Sequence, residues 1–372
     1  MRVLHVTDVY LPRLGGIELH VRDLAERQLA AGDHAEVLTM THARGSVEFP
    51  GMPDVHRPRR SGWLHQAAFG WRSRGHARIN DFDVVHAHVS TLSPLAYAAL
   101  RANSPVPTLV TVHSLWRRYT PIWRACETTV GWSRWPVIWS AVSRAAAADM
   151  ARAAGRPFDV PVVPNGIDLS AWEPITRQRR SNELRVVSVM RLAARKRPLP
   201  LLRTLRALRR RLPAHIRLSA VIVGDGPQRE PMQRYADRHG MRDWLQLPGQ
   251  LPRTAVAQAL TDADVFVAPA KLESFGIAAL EARATGLPVV GWRQSGLSDF
   301  IESGRDGILV DSDDAMVAAL ARVATHPFDA AALADTGKLQ PMDWPQVVAR
   351  TTELYRAAGS TASTDTQSSR AS

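Results

Sequence analysis

Two cations in the second half of the chain have the types and spacing needed to bind a diphosphate. Arg191 and Lys196 follow the strand-like run LRVVSVM at 184–190. A planar guanidinium offers a fork of donors to phosphate oxygens, and a nearby ammonium adds a point charge. Basic stretches of this kind are more commonly solvated surface turns. The position of Arg191 and Lys196 after a strand favours the phosphate interpretation.

Two carboxylates lie further on, in the stretch PAKLESFGIAALEA. Glu273 is expected in a loop, Phe275 and Gly276 next to it open a helix, and Glu281 lies on that helix. The phosphates of a ligand are expected near the helix N-terminus, where N–H groups have no partner. One carboxylate can then accept hydrogen bonds from sugar hydroxyls and the other from a ribose. A hydrolytic carboxylate pair fits less well, because one local motif poorly flanks a glycosidic bond.

The first half offers weaker candidates. Gly15 and Gly16 precede an amphipathic helix, where two glycines let the backbone approach an anion, although a plain tight turn has equal weight. His113 follows the strand-like TLVTV, where a histidine can donate a hydrogen bond to a sugar hydroxyl or a phosphate, although most lone histidines are simply structural. His86 and His88 have ligand chemistry for a metal, but no third ligand has convincing spacing, so a structural role is preferred.

These residues follow strands in a repeated pattern of strand and helix, which is typical of parallel α/β units. Ligands of such sheets bind outside the carboxyl ends of the strands. A polar segment at 177–182 looks like a linker and divides the pattern into two tandem doubly wound sheets. The predicted strands are 2–7, 35–40, 83–87, 107–112, 138–142 and 160–163, then 184–190, 218–223, 244–247, 264–268, 287–290 and 307–310.

Bulk properties suit two globular domains with an anionic partner. The chain has 372 residues, 45% hydrophobic and 22% charged, with a net charge of +12 carried almost wholly by arginine. No apolar run reaches the ~18 residues of a membrane-spanning helix. The start, MRVLHVTDVY, reads as a strand rather than a signal peptide, and Cys126 stands alone. We therefore expect a cytoplasmic protein.

Taken together, the motifs resemble family 4 of the retaining glycosyltransferases, which have the GT-B fold. Any one of them is weak, but they occur in the family's order from residue 1 to about residue 358. The matching elements are Gly15-Gly16, Ser143-Arg144, Pro164-Asn165-Gly166-Ile167-Asp168, Arg191 with Lys196, Gly224-Asp225-Gly226, the E-x7-E pair Glu273/Glu281, and the run ATGLPVV at 284–290.

The resemblance implies two Rossmann-like domains facing a central cleft. Residues 1–170 would form the acceptor side and 183–340 the nucleotide-sugar donor side. A helix at 341–358 would cross back to the first domain, and 359–372 would be a disordered tail.

The resemblance also implies roles for the site residues. Arg191 and Lys196 would hold the donor diphosphate, Glu281 the ribose, and Glu273 the transferred sugar. Gly16 and His113 would lie beside the sugar and the acceptor. His113, Glu273, Arg191 and Lys196 would be catalytic. The remaining donor-binding set is Gly15, Gly16, Asn165, Gly224, Phe275 and Gly276. No metal or other cofactor is expected, since cations and helix N-termini stabilise the departing diphosphate.

Four positions depart from the family's pattern. Met190 stands for a glycine before the arginine, Arg197 for the glycine after the lysine, Ser295 for a glycine, and Asp299 for a glutamate. They alter the edges of the donor site and leave UDP and GDP as alternative bases. The turn Gly224-Asp225-Gly226 is interpreted either as a wall of the nucleotide site or as a structural turn.

Tryptophan and arginine alternate between residues 57 and 139, a composition that suits an anionic membrane surface. Seven of the eleven tryptophans fall there: Trp63, Trp71, Trp116, Trp123, Trp132, Trp135 and Trp139. We predict that this region rests on the inner leaflet near a lipid-linked acceptor. The alternative, weighted slightly higher, is that several of these tryptophans are core. No nucleic-acid module is recognisable, so nucleic acid is not an expected partner.

The sequence therefore predicts a hexosyltransferase that uses a UDP- or GDP-sugar, with a lipid, a glycan or a small molecule as acceptor. A nicotinamide-dependent dehydrogenase is disfavoured because the G-x-G-x-x-G turn is missing after the first strand. A nucleotide-sugar epimerase would share the donor contacts. The main alternative is a non-catalytic or membrane-associated nucleotide-sugar-binding protein of the same fold.

Overall fold

The computed structural model describes residues 1–13, 15–42, 52–57, 79–91, 93–100, 106–172, 174 and 182–368. The chain divides into two compact units, and each carries one sheet. The first unit is Met1–Gly166 together with the final helix, and the second is Ile167–Asp343.

The first unit contains a six-stranded parallel sheet in the order β3-β2-β1-β4-β5-β6. The inner strands β1, β4 and β5 are almost wholly buried, as expected when helices cover both sides of a parallel sheet, although one face carries buried histidines. Of the six residues of β4, all are buried. The strands are β1 (Arg2–Thr7), β2 (His34–Thr39), β3 (Asp54–His56), β4 (Val84–Val89), β5 (Thr108–Val112) and β6 (Ile138–Ala141).

Local chemistry marks both ends of one helix in this unit, Arg144–Ala154. The Ser143 hydroxyl accepts from the Ala146 N–H and caps one helix, which ends at Gly155 in the left-handed region. The described helices are α1 (Gly16–Ala30), α2 (Pro94–Leu100), α3 (Thr120–Val130), α4 (Arg144–Ala154) and the final helix, α11 (Trp344–Ser368).

Helix α11 belongs to the first unit because its apolar face packs on that sheet. Trp344, Val347, Leu354 and Tyr355 form one core cluster with strand residues that include Val3 and Leu109. The expectation that the last helix crosses back onto the first domain is confirmed.

The second unit repeats the same strand order, as β12-β11-β10-β7-β8-β9. Its strands are β7 (Glu183–Val189), β8 (Arg217–Val223), β9 (Leu245–Gly249), β10 (Val265–Ala268), β11 (Val289–Trp292) and β12 (Gly307–Val310). Its helices are α5 (Pro198–Arg211), α6 (Arg229–Arg238), α7 (Arg253–Thr261), α8 (Ile277–Ala284), α9 (Asp313–Thr325) and α10 (Ala330–Ala334).

Three expectations about the elements need correction. Strand β3 was not predicted, because three residues are too few to show a period. The run 160–163 forms no strand and only a bridge between Val162 and Ala141. Helix α11 continues through Ser368, beyond the predicted end at 358, and no proline interrupts this stretch. The predicted linker at 177–182 lies outside the described residues except for Asn182.

Within the part of the chain that the structure describes, no helix combines the length and the apolar composition that crossing a membrane requires.

Candidate functional site

Strands β7 and β10 are neighbours at the point where the order of the second sheet reverses. Their following loops therefore diverge and leave a crevice at the carboxyl edge, where ligands of such sheets bind. Arg191 and Lys196 follow β7, and Glu273 follows β10. The structure thus brings the predicted cations and the predicted sugar carboxylate to one edge of one sheet.

Lys196 and Glu273 form an ion pair across this crevice. The Lys196 ammonium lies 2.5 Å from the Glu273 carboxylate, with the side chains 21% and 14% exposed. Arg191 is exposed and has no ion-pair partner among the described residues. Because both side chains are partly exposed, a ligand can reach them. A diphosphate can bind the ammonium while the carboxylate accepts hydrogen bonds from hydroxyls.

The Gly224 turn positions the loop that carries Arg191. Gly224 has a φ of 133°, and a Cβ atom there would lie 1.8 Å from the Met190 carbonyl oxygen. The Leu192 N–H donates to the Asp225 carbonyl at 2.8 Å. Only glycine fits this contact, so the turn has a packing reason whether or not it also touches a nucleotide.

The Glu273 loop rests on the segment that follows β11. The Gly296 N–H donates to the Glu273 carbonyl at 2.9 Å, and a Cβ atom at Gly296 would lie 2.2 Å from the Ser274 carbonyl oxygen. The Ser295 hydroxyl accepts from the Leu297 N–H and so caps the short helix below this loop. This departure from the family's glycine therefore serves a local structural purpose.

Gly276 and Phe275 lie just before helix α8 and have different structural roles. Gly276 precedes the first residue of the helix with a φ of 98°, a left-handed conformation that glycine adopts without strain. Phe275 is 1% exposed, and its ring contacts the Phe300 ring at 5.6 Å between centroids. The Phe275 side chain is therefore core, and a donor-binding role is open only to its main chain.

Glu281 has a partner that the sequence did not indicate. The Arg253 guanidinium lies 3.6 Å from the Glu281 carboxylate, and it also lies over the Trp172 ring at 5.5 Å from the centroid. Glu281 is 15% exposed and Arg253 58% exposed. Arg253 thus extends the site on the side where a ribose is expected.

The departure at Arg197 places a side chain where the backbone favours glycine. Arg197 has a φ of 59°, and among the described residues it alone has a positive φ without being glycine. Its guanidinium binds both carboxylate oxygens of Asp313, at 2.9 and 2.7 Å, and lies over the Trp292 ring. These contacts offset the cost of the left-handed conformation, which is about 1–2 kcal/mol.

In the first unit, β1 and β4 are the neighbours at the reversal of strand order. Gly15 precedes the first residue of α1 with an extended φ of −174°. A Cβ atom at Gly15 would lie 2.5 Å from Oε2 of Glu18, and Oε1 of the same carboxylate lies 3.0 Å from the Arg13 guanidinium. Glu18 therefore already places a carboxylate at this helix N-terminus, next to Gly15 and Gly16, a contact that the sequence analysis did not anticipate.

His113 follows β5 and is 6% exposed. Its Nε2 lies 3.1 Å from Nδ1 of His88. Burial lowers the pKa of His113 to about 3, so the ring is neutral at pH 7. His5 supplies the third histidine near His86 and His88 that no sequence spacing had suggested, because parallel pairing sets β1 beside β4.

Asn165 precedes the boundary between the units and is 5% exposed. Its Oδ1 is buried without a hydrogen-bond partner among the described residues. The next residue, Gly166, packs on Trp344, where a Cβ atom would lie 2.3 Å from the indole ring. The donor-binding role of Asn165 stays a prediction.

The described tryptophans between residues 116 and 139 pack in the core of the first unit. Trp116, Trp132 and Trp139 are at most 3% exposed. Trp123 stacks on Trp116 at 4.1 Å between centroids, with the planes 7° apart. For the described tryptophans the core alternative was the better interpretation. Trp63 and Trp71 lie outside the described residues.

Comparison with known proteins bears on both halves of the chain. The family model "Glycosyltransferase Family 4" matches residues 14–171, and "Glycosyl transferases group 1" matches residues 174–340. The D-inositol 3-phosphate glycosyltransferase of Pseudarthrobacter chlorophenolicus is 30% identical over 391 residues, which cover 92% of this chain and 90% of that protein. A GDP-mannose-dependent alpha-(1-6)-phosphatidylinositol monomannoside mannosyltransferase of Mycolicibacterium smegmatis is 31% identical over 258 residues, covering 60% and 67% respectively.

A solved structure shares the architecture at low sequence identity. Anabaena HepE, in complex with UDP and glucose, aligns with a TM-score of 0.76 and 18% identity, over 96% of this chain and 100% of that chain. The repeated strand order agrees with this likeness. With both halves matched by family models and a relative 30% identical along nearly the whole chain, the protein belongs to family 4 of the glycosyltransferases and has the GT-B fold.

Proposed function

We propose that the protein is a retaining, metal-independent hexosyltransferase that uses a UDP- or GDP-sugar. The observation that carries this proposal is the Lys196–Glu273 pair at the reversal point of the second sheet. An ammonium beside a carboxylate supplies one group for the departing diphosphate and one for the sugar hydroxyls. The relatives support the class of donor: one is named for GDP-mannose, and HepE was solved with UDP.

In this proposal Arg191 and Lys196 neutralise the charge that develops on the leaving diphosphate. Glu281 accepts from the ribose hydroxyls, and Arg253 holds its carboxylate in place. A front-face displacement then retains the anomeric configuration without a protein nucleophile. The acceptor is a lipid, a glycan or a small molecule. Two of the relatives are named for inositol-containing compounds, which makes a phosphorylated polyol a sensible first acceptor to assay.

Nucleotide binding tests the donor site directly. In thermal unfolding with UDP, GDP, ADP and their sugar conjugates, one nucleotide present at about 100 times its Kd is expected to stabilise the native state by about 2.7 kcal/mol. Glu281→Ala should reduce this shift, because the ribose loses its acceptor. Glu302→Ala is the matched control, since Glu302 is a surface carboxylate paired with Lys338.

The same experiment, followed by a turnover assay, separates the alternatives. Stabilisation with turnover of the donor supports the transferase. Stabilisation without any turnover favours a non-catalytic nucleotide-sugar-binding protein. If no nucleoside diphosphate shifts the unfolding of a well-folded sample, the donor assignment is wrong.

We also propose that helix α3 rests on the anionic face of a membrane, on the cytoplasmic side. The tryptophans beneath it are buried, but Ile122 and Val130 are 60% and 43% exposed on its outer surface. Arg118 and Arg124 are exposed on the same segment. Exposed apolar side chains between arginines are what an interfacial helix uses.

Co-sedimentation with vesicles of phosphatidylglycerol tests this surface. At low salt, Ile122→Asp is expected to reduce the bound fraction severalfold, since it adds an anion and removes an apolar anchor. Leu272→Asp is the control, because Leu272 is 40% exposed but lies in the second unit. Equal binding of both variants, or none by the natural protein, would rule out a membrane role for α3.

A further inference from the structure

The first unit buries a cluster of histidines that the proposed chemistry does not use. Ligand atoms of His5, His86 and His88 lie within 4.8 Å of one another, a spacing compatible with a metal ion. Each of these rings, however, already has hydrogen-bond partners at both nitrogens. A metal would have to displace them, so hydrogen bonding explains the cluster better. The direction of those hydrogen bonds is therefore the informative property.

The chain of hydrogen bonds begins at the Val110 carbonyl, and a carbonyl can only accept. The Ser140 hydroxyl donates to the Val110 carbonyl at 3.2 Å. A hydroxyl has one hydrogen, so Thr111, 2.8 Å away, must donate to Ser140. For the same reason Nε2–H of His86 donates to Thr111 at 2.7 Å. A neutral imidazole has one donor and one acceptor, which leaves Nδ1 of His86 as an acceptor.

Tyr355 on helix α11 supplies the next link in the chain of hydrogen bonds. The Tyr355 hydroxyl lies 2.8 Å from Nδ1 of His86 and must donate to it. The Gln28 amide nitrogen donates to the Tyr355 oxygen at 3.2 Å, so the amide oxygen of Gln28 points the other way. That oxygen lies 2.7 Å from Nε2 of His5 and accepts its proton. His5 is thereby left with a bare Nδ1.

The last two links reach the carboxyl edge of the sheet. Nε2–H of His88 donates to Nδ1 of His5 at 3.0 Å. Nε2–H of His113 then donates to Nδ1 of His88 at 3.1 Å. No described residue forms a hydrogen bond with Nδ1 of His113, which ends the chain. In this direction each contact between Val110 and His113 pairs one donor with one acceptor.

The rings must be neutral for this chain to hold. Burial lowers the pKa of His5 to about 4 and of His113 to about 3, and it holds the pKa of His86 and His88 well below 6.5. His20 is the other titratable group beside His113, with ring centroids 5.4 Å apart, and burial likewise lowers its pKa. All five rings are uncharged at neutral pH.

We propose that this one-way chain is a positioning device that holds His113 as the Nε2–H tautomer, with a bare Nδ1 lone pair. Its positioning residues are Ser140, Thr111, His86, Tyr355, Gln28, His5 and His88. His113 then accepts a hydrogen bond at Nδ1, whereas the sequence had pointed to a donor role. The consequence for substrates rests on the proposed function. A sugar or acceptor hydroxyl must donate to His113, and a carbonyl or a phosphate oxygen at this position would be repelled.

Nuclear magnetic resonance of ¹⁵N-histidine-labelled protein without ligands tests the chain at about pH 7.5, with His113→Gln assigning the signals. Only the stated direction includes the hydrogen bond from Ser140 to the Val110 carbonyl. One net hydrogen bond contributes about 1 kcal/mol, so the Nε2–H form of His113 is expected to exceed the Nδ1–H form about fivefold. Ser140→Ala removes the acceptor of the Thr111 hydroxyl, so Thr111 donates to Nε2 of His86 instead. The whole chain then reverses, and His113 becomes mainly the Nδ1–H form.

Ser188→Ala is the matched control. Ser188 is also a buried strand serine that donates to a carbonyl, that of Val267, but it lies in the second unit. It should leave the His113 signals unchanged. Tyr355→Phe, which cuts the chain, should move His113 towards an equal mixture of tautomers.

A mainly Nδ1–H form in the natural protein overturns the proposal. So does a His113 signal that neither Ser140→Ala nor Tyr355→Phe changes. Because no nucleotide is present, these results stand apart from donor binding. A confirmed tautomer without any nucleotide-induced stabilisation would retain the chain and reject the transferase assignment.

Discussion

Replacing Lys196 by alanine is expected to lower kcat/KM for donor turnover by about 10²- to 10³-fold, the usual cost of removing one donor that stabilises developing charge. The ammonium is 2.5 Å from Glu273 at the reversal point of the second sheet. Without it the leaving diphosphate loses a cation, and the Glu273 carboxylate, 14% exposed, loses its partner. The rate of nucleoside diphosphate release from the donor measures the effect.

Lys338→Ala is the matched control for this change. Lys338 also pairs with a glutamate, Glu302, at 2.8 Å, but both side chains are roughly half exposed. Such surface pairs contribute about 0–1 kcal/mol, so this variant should keep near-natural turnover. If Lys196→Ala and Lys338→Ala behaved alike, the Lys196–Glu273 pair would be structural only.

The partner residue gives a second check on the pair. Glu273→Gln keeps the shape of the side chain and removes its charge, and it should also lower turnover. Because the two side chains are in contact, the effects of Lys196→Ala and Glu273→Gln should not add in the double variant. Additive losses would indicate that the two groups act on separate steps.

Acid is expected to destabilise the first unit well before its carboxylates are protonated. Five buried histidines have a folded-state pKa below the unfolded value of about 6.5. The unfolded chain therefore takes up protons that the folded unit cannot bind. Their contribution to stability is complete above pH 6.5 and is lost as the pH falls towards about 4, where His5 titrates.

The expected size of this effect is large. Each histidine costs about 1 kcal/mol per pH unit below 6.5, so the five together remove on the order of 5 kcal/mol by pH 5.5. A domain is stable by only about 5–15 kcal/mol. Urea unfolding at pH 7.5, 6.5 and 5.5 measures the loss, and a change below about 1 kcal/mol over this range would contradict the prediction.

His20→Phe isolates one histidine from the rest. The His20 ring stacks on Trp344 at 5.4 Å, and its Nδ1 has no hydrogen-bond partner among the described residues. Phenylalanine keeps the stacking and removes one titrating group, so stability should fall less steeply with acid, by about one proton. His215→Asn, which replaces an exposed histidine of the second unit, is the control variant.

Much of the fold could be predicted from the chain because its signals are local. Apolar runs separated by helical stretches specify parallel strands, and eleven of the twelve predicted strands are confirmed within a few residues. The order of motifs also identified the family. The carboxyl-edge rule further indicated which loops to examine, and Lys196 and Glu273, 77 residues apart, do meet there.

Other parts of the site depended on contacts between distant segments. The burial of Phe275, the partner of Glu281 and the placement of Tyr355 beside His86 follow from packing between elements, which spacing along the chain does not encode. Arg197 is similar: the sequence showed a missing glycine, but only the bidentate contact with Asp313 explains why the position tolerates a side chain.

The sequence by itself therefore determined the fold class, the family and the edge of the second sheet where charge collects. Periodicity and turn chemistry act over a few residues and can be read along the chain. The tertiary structure alone decided which hydrogen-bonding role His113 has. A histidine's tautomer depends on what its other nitrogen contacts, and for His113 those contacts run through four strands and two helices to the Val110 carbonyl.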